Sequence, residues 1–197
     1  TYAHTRITEE ALAFIERNRA KPFYLNLTWT IPHTNNEAGH VEKNGQEVPD
    51  HGIYEGRDWP DPEKGFAAMV TLMDEDTGKI IDLLKKLGID DNTLVVFTSD
   101  NGGYSGVADN RPLREGKGFL YEGGIRVPAI ISWPGQLPVN QVRHQMAVSV
   151  DWLPTLSELT RVPLPKRRLD GKSLVPVIRS AKAASPREVF HWQSGRG

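Results

Sequence analysis

The sequence of 197 residues contains no cysteine, so this chain can form no disulfide, hold no metal through a thiolate and use no cysteine nucleophile. It also lacks any run of 18 apolar residues, the length that a transmembrane helix requires. The formal net charge is only −1, so no overall positive field attracts nucleic acid or an anionic membrane. We therefore expect no nucleic-acid partner and no membrane span, and any anion-binding site must be local.

The spacing of apolar residues predicts an α/β fold. Acidic residues and an apolar stripe after Thr8 predict a helix over about 8–19 with Thr8 as its N-cap. The stretch "KPFYLNLTW" then alternates between apolar and polar residues, as a strand does. The segment "EKGFAAMVTLMDEDTGKIIDLLKKLGI" has apolar residues at helical spacing from Phe66 to Leu87, which predicts a long helix, and Gly88 is placed to end it.

The second half of the chain reads as short strands and one short helix. The segment "NTLVVFTS" is a short continuous apolar run, typical of a strand buried on both faces, and "VPAIISW" is predicted as the next strand. The segment "DWLPTLSEL" predicts a short helix capped by Asp151. A Pro-rich basic linker, "VPLPKRRLDGKS", follows, and "REVFHWQ" predicts the start of a further strand that has nothing to pair with in the remaining sequence.

Two hard oxygen ligands stand side by side in "SDNGG", which follows the first of these apolar strands. Functional groups collect beyond the carboxyl ends of strands in open α/β sheets. The carboxylate of Asp100 and the amide oxygen of Asn101 suit Ca²⁺ or Mg²⁺ rather than zinc. The alternative is a plain turn, because Asp-Asn-Gly is also common turn chemistry.

The stretch "NRPLREGKGFLYEGGIRVP" is unusually rich in glycines and cations. Glycines let backbone N–H groups approach an oxyanion closely, and a lysine adds a point charge with three donors. Lys117 lies between Gly116 and Gly118, so no bulky neighbour screens it. The segment therefore reads either as an anion-binding loop or as a flexible surface loop with solvated charges.

Other candidate sites are weaker. His33 in "TIPHTNN" lies past the first predicted strand and could donate a proton or bind an anion, although a loop histidine is more often structural. A zinc site from His33, His40 and His51 matches no helix-borne spacing. The acidic "DEDTG" lacks the spacing of an EF-hand and falls inside a helical pattern, which favours a solvated helix face.

Five segments in order resemble the sulfatase family, arylsulfatase-like members of the alkaline phosphatase superfamily. They are "PFYLNLTWTIPHT", "MVTLMDEDTGKIIDLLKKLGIDDNTLVVFTSDNGG", "PLREGKGFLYEGGIRVPAIISWPG", "VSVDWLPTLSEL" and "LDGKSLVPVI". The resemblance implies a hydrolase of sulfuric esters built on the sulfatase and alkaline-phosphatase-like sandwich, a mixed sheet flanked by helices. It also implies an extracytoplasmic compartment and a sulfate ester of a carbohydrate or aryl group as substrate.

The resemblance assigns roles to four residues. Asp100 and Asn101 match two ligands of the family's divalent cation, usually Ca²⁺, with Mg²⁺ as the alternative. Lys117 matches the lysine that contacts the sulfate group, and His33 matches the histidine near the ester oxygen, so both are candidate substrate-binding and catalytic residues. Asn35 stands where the family's segment has a proline.

The departures from the family pattern concern the nucleophile. Family members convert a cysteine or serine in a C/S-x-P-x-R motif to formylglycine, and this sequence has neither form of the motif; "SPR" at 185–187 has the wrong spacing. An early metal-binding aspartate pair is also absent. We therefore expect an internal part of a sulfatase that is inactive alone, with formylglycine upstream.

The resemblance also predicts how the chain is divided. Residues 1–160 correspond to the later half of the catalytic α/β domain, and 161–197 to a linker with the truncated start of the C-terminal subdomain. Two rival functions remain: a phosphatase, phosphodiesterase or phosphonate hydrolase of the same superfamily, and a noncatalytic anion-binding module. The number of subunits is not predicted.

Overall fold

The computed structural model describes residues 2–193, which fold as helices joined by long loops, with a small sheet. The helices are α1 (Ala3–Asn18), α2 (Asn36–Val41), α3 (Asp61–Lys86), α4 (Glu122–Ile125), α5 (Trp152–Thr160) and α6 (Val175–Arg179). In the described part, β1 (Val95–Thr98) and β2 (Ala129–Ser132) pair as a two-stranded sheet. This arrangement confirms the α/β class.

The chain divides into two compact units, Thr1–Ile131 and Ser132–Gly197. The predicted boundary at 160/161 divides the catalytic α/β domain from the linker and C-terminal subdomain of the family, and it stays a prediction. No helix among residues 2–193 is long and apolar enough to cross a membrane.

The first unit is built on the packing of α1 against α3. Ile15 of α1 and Leu83 and Leu84 of α3 form a buried cluster, and burying such side chains contributes about 1.5–3 kcal/mol each. The prediction of α3 is confirmed, including its end: Gly88 follows the C-cap with a φ of +65°, a conformation that favours glycine. Further apolar side chains pack against the cluster: Leu12, Phe23, Leu25, Ile80, Leu87, Ile89 and Val95.

The predicted start of α1 is wrong. The helix begins at Ala3, so Thr8 lies inside it and is not an N-cap. Thr8 is buried, and its hydroxyl donates a 2.7 Å hydrogen bond to the carboxylate of Asp76 on α3. Thr8, which the sequence pattern predicts as the N-cap, thus joins α1 to α3 through its side chain.

Asp76, in the middle of the acidic "DEDTG" segment, corrects the interpretation of that segment as a solvated face. It is only 2% exposed, accepts hydrogen bonds from Thr8 and, at 2.6 Å, from Lys79, and lies 2.9 Å from Nε2 of His4. Burial raises the pKa of Asp76, but hydrogen bonds from Lys79 and Thr8 outweigh burial and hold the pKa below its usual range. Burial lowers the pKa of His4, and the neighbouring Asp76 only partly offsets this.

The segment 21–30 has the alternation of a strand but no strand partner among residues 2–193. Phe23, Leu25, Leu27 and Trp29 are half-buried, whereas the residues between them are exposed. The predicted facing is therefore confirmed, while no ladder is formed. Similarly, both predicted strands exist as β1 and β2. Burial of the first on both faces is wrong for the described chain, because the residues of β1 are half-buried or exposed and none is fully buried.

The second unit is organised around the buried carboxylate of Asp151. The predicted helix after it is confirmed as α5, but the carboxylate makes no cap bond to α5. It instead pairs with both terminal nitrogens of Arg187 and accepts from the backbone N–H groups of Val148 and Lys172 at 3.0 and 2.8 Å. Arg187 opens the segment predicted to begin a strand without a pairing partner, and no strand forms there up to residue 193.

Candidate functional site

The long connection between β1 and β2 carries three of the four predicted site residues. Asp100 and Asn101 follow β1 after a single residue, where the sequence predicted them. Further along, the backbone N–H of Lys117 donates a 3.0 Å hydrogen bond to the carbonyl of Gly103. The "DNGG" segment and the lysine segment therefore meet backbone to backbone.

A side chain that the sequence reasoning missed fixes this junction. The Oδ1 atom of Asn110 accepts from the N–H of Gly103, and its Nδ2 donates to the carbonyl of Gly103, both at 3.0 Å. The same Gly103 carbonyl also accepts the bond from Lys117, so Asn110 holds the residue on which the lysine segment is anchored. The sequence around Asn110 is typical of a turn. No sequence pattern predicts that its side chain bonds to Gly103, seven residues earlier.

The glycines serve close packing of the backbone more than anion binding. The N–H of Gly102 donates to the carbonyl of Gly124 at 2.9 Å, and a β-carbon at Gly102 would collide with the carbonyl of Gly123. Because the N–H groups of Gly102, Gly103, Gly123 and Gly124 are all bonded within the protein, the idea that glycine N–H groups cradle an anion is wrong for these four. Gly116 and Gly118, which flank Lys117, donate no backbone hydrogen bond within residues 2–193.

The segment 110–128 contains four cationic side chains, and three of them have partners inside it or beside it. These are Arg111 with the carboxylate of Asp109 at 2.9 Å, Arg126 with that of Glu122 at 3.2 Å, and Arg114 with the ring of Tyr121 at 3.7 Å. Lys117 is the fourth; its half-buried side chain makes no hydrogen bond and no ion pair with the described residues. The loop thus keeps one ammonium group available.

Asp100 and Asn101 retain oxygen atoms that fit a hard cation. One carboxylate oxygen of Asp100 accepts from the N–H of Asn101 at 2.9 Å, and the amide nitrogen of Asn101 donates to the carbonyl of Gly102 at 3.0 Å. That orientation leaves Oδ1 of Asn101 and the second oxygen of Asp100 without a hydrogen bond in the described chain. The donor set suits Ca²⁺ or Mg²⁺ but supplies two ligands, whereas Ca²⁺ takes six to eight.

His33 is exposed and lies on a different loop. Its Nδ1 donates to the carbonyl of Thr34 at 2.7 Å, because a carbonyl only accepts, and Nε2 is the nitrogen that remains available. No hydrogen bond joins it to Asp100, Asn101 or Lys117 in the structure as described for 2–193. The structure therefore anchors the backbone of Lys117 on Gly103, two residues after Asn101, and shows no hydrogen bond from His33 to the other three residues in the described chain.

The departure at Asn35 has a structural explanation. Asn35 is the N-cap of α2, and its side-chain oxygen accepts from the N–H groups of Glu37 and Ala38 at 3.2 and 3.3 Å. Asparagine is among the best N-caps, and proline could not form these bonds. The residue after "PHT" therefore starts a helix.

The alternative zinc site is not assembled. Among the described residues there is no group of three or more His, Cys, Asp or Glu that could hold a metal ion. His51 instead contacts the carboxylate of Glu55 at 3.0 Å, so it is not grouped with His33 and His40.

Comparison with known proteins gives one family. The profile described as Sulfatase matches residues 1–162. A protein named Sulfatase from Formosa agariphila is 42% identical over 126 residues, which is 58% of this chain and 23% of that protein. Steryl-sulfatase of Homo sapiens is 34% identical over 198 aligned positions, which is 95% of this chain and 31% of that protein.

A solved structure has the same fold. The crystal structure of Ps i-CgsB in complex with k-i-k-neocarrahexaose matches with a TM-score of 0.79 and 32% identity, covering 89% of this chain and 38% of that one. This chain therefore spans less than two fifths of the length of each of these three proteins.

Proposed function

Since this chain belongs to the sulfatase family, we propose that it is part of a sulfuric ester hydrolase and supplies the lysine that binds the sulfate group. Membership confirms the resemblance predicted from the sequence motifs. The activity remains a proposal, because the chain covers only 31% of a relative such as steryl-sulfatase.

The availability of the Lys117 ammonium group is the observation that carries this proposal. A sulfate monoester is anionic at neutral pH, and a half-buried cation without a partner in the described part of the chain can approach its oxygens. Asn110 and the bond from Lys117 to Gly103 fix the loop in advance, so holding the sulfate requires little reorganisation. The three arginines of the segment already have partners and are weaker candidates.

His33, Asp100 and Asn101 would have the other roles in the reaction. Nε2 of His33, when protonated, donates a proton to the leaving alcohol oxygen as its bond to sulfur breaks, which avoids release of an alkoxide. Asp100 and Asn101 would hold a divalent cation, with further ligands from outside this chain, and the cation would supply positive charge beside the sulfate oxygens.

The nucleophile is not supplied by the 197 residues, which contain no cysteine and no S-x-P-x-R motif. We propose formylglycine on another segment of the same protein. The substrate class is a sulfate ester of a carbohydrate or aryl group, in keeping with the oligosaccharide bound to Ps i-CgsB. The extracytoplasmic compartment stays a prediction.

The test is to compare 4-nitrophenyl sulfate with 4-nitrophenyl phosphate as substrates of the full-length protein. We expect the sulfate ester to have the higher kcat/KM and its turnover to stop on chelation of divalent cations and return with Ca²⁺. The isolated 197-residue chain is the control and should be inactive on both. A higher kcat/KM for the phosphate ester would reassign the protein to phosphoryl transfer and refute the proposal.

A further inference from the structure

Tyr104 is an exposed aromatic residue directly beside the lysine segment. It follows Gly103, whose carbonyl accepts the hydrogen bond from the N–H of Lys117. The Tyr104 residue is 56% exposed, and its hydroxyl has no hydrogen-bond partner in the described chain. An aromatic face, a free hydroxyl and an available ammonium group thus belong to two adjoining stretches of backbone.

The Tyr104 ring is held in place. The carbonyl of Tyr104 accepts from the N–H groups of Val107 and Ala108 at 3.1 and 2.9 Å, which fixes the backbone in a tight turn. The ring lies against the backbone of Gly106, where an added β-carbon would collide with Cε1 of the ring and lie 2.8 Å from Cζ. A side chain at position 106 would therefore displace the ring.

The other exposed aromatic residues of the loop are less suited to bind a polar ligand. The ring of Tyr121 already has the guanidinium of Arg114 over it at 3.7 Å. Phe119 is 51% exposed but has no hydroxyl. Tyr104 is therefore the residue of this group that combines a ring with no cation over it and a hydroxyl without a hydrogen-bond partner among residues 2–193.

We propose that Tyr104 determines substrate specificity by stacking on a sugar ring of the ester whose sulfate group Lys117 binds. This inference rests on the proposed function. A tyrosine ring offers a large rigid apolar face at low entropic cost, and its hydroxyl can bond to a sugar hydroxyl. A plain aryl group could use the ring but offers no hydroxyl, so a sulfated carbohydrate uses both features.

The test uses the full-length enzyme and its Tyr104→Ala and Tyr104→Phe variants. The probes are sulfated monosaccharides of galactose, glucosamine and N-acetylgalactosamine, 4-nitrophenyl sulfate, and inorganic sulfate as a competitive inhibitor. Aromatic contacts of this kind correspond to about a three- to tenfold change in affinity. For the best sugar sulfate we expect Tyr104→Ala to raise KM about that much, with kcat changed less than twofold.

Three further comparisons separate stacking from hydrogen bonding and from general damage. Tyr104→Phe should raise KM for the sugar sulfate by a smaller factor and leave KM for 4-nitrophenyl sulfate unchanged. The inhibition constant of inorganic sulfate should not change in either variant, because that ion has no ring. Tyr24→Ala, at an exposed tyrosine outside the loop, is the matched control and should behave as wild type.

Several results would overturn the inference. The first is an unchanged KM for the sugar sulfate in Tyr104→Ala. The second is an inhibition constant of inorganic sulfate that rises as much as that KM, which would mean that the ring only supports the loop. The third is that the enzyme turns over none of the sugar sulfates. The proposed function fails separately: if Lys117→Ala leaves the inhibition constant of inorganic sulfate unchanged, the sulfate is not held by Lys117, whatever Tyr104 does.

Discussion

Replacing Lys117 by alanine is the most direct test of the site. The substitution removes one ammonium group that has no partner among the described residues, so no internal ion pair is broken. The backbone bond from residue 117 to Gly103 does not need the side chain and is kept. We therefore expect little change in stability and a large change in catalysis.

The magnitude follows from the preorganisation of the loop. Removing one fixed contact to the charge that develops in a transition state typically lowers turnover by about 10²–10³, or roughly 2.7–4 kcal/mol. Because Asn110 and the packed glycines hold the lysine segment before substrate binds, we expect Lys117→Ala to lie in that range. Lys117→Arg should recover little, since a planar guanidinium does not replace a compact ammonium.

The assay is steady-state kinetics of the full-length protein on an aryl sulfate, with a thermal melt of each variant. Arg114→Ala is a poor control, because the Arg114 guanidinium lies over the ring of Tyr121. The sequence alone suggests a solvated loop charge at this position. Arg111→Ala is better: Arg111 is exposed, and among residues 2–193 its charged partner is Asp109, whose pKa it lowers to about 2. It should keep turnover within about twofold, because its exposed guanidinium is already paired with Asp109 and an exposed pair contributes little. Near wild-type turnover by Lys117→Ala with an unchanged melt would refute the role of the loop.

Three other outcomes are expected. The purified 197-residue chain should hydrolyse no aryl sulfate, because it has no cysteine or motif serine for formylglycine, and metal-dependent turnover by it would contradict this. The same chain should bind Ca²⁺ weakly by calorimetry, because Asp100 and Asn101 supply two of the six to eight ligands that Ca²⁺ takes; submicromolar affinity would be inconsistent with that count. Burial lowers the pKa of His4, so the stability that neutral His4 contributes is present above about pH 6.5 and lost as the pH falls through the lowered value. The melting temperature should therefore drop more between pH 7.5 and 5 in wild type than in His4→Gln, and equal drops would show that His4 does not titrate in this range.

The sequence was most informative where the signal is local. The 3.6-residue spacing predicts α3, and Gly88 predicts its end, because both depend on residues a few positions apart. The clustering of glycines and cations likewise indicates the loop around Lys117. The sequence does not show which of these cations have partners. The partner of Arg114, for example, is the ring of Tyr121, which carries no charge.

The features that the sequence did not predict depend on distant partners. Thr8 reads as an N-cap until Asp76, 68 positions away, is seen to accept its hydrogen bond. Asp76 reads as a solvated carboxylate for the same reason, because the groups that offset its burial come from two helices. The alternation of residues 21–30 correctly predicts which side chains are half-buried and which are exposed. Whether the segment pairs as a strand depends on a neighbouring strand, about which the local pattern carries no information.

The packed glycines of the loop also limit how a laboratory could alter its selectivity. Where a β-carbon would strike a backbone carbonyl, as at Gly102, any substitution moves the main chain that carries Lys117, so saturation libraries at such positions should yield mostly inactive clones. Tyr104 and Phe119 project from the same loop and are about half exposed, so they can be exchanged with less strain on that main chain. A library that randomises these two positions and leaves the glycines intact should retain a high fraction of active variants, and its members should differ in the alcohol they accept rather than in their use of sulfate.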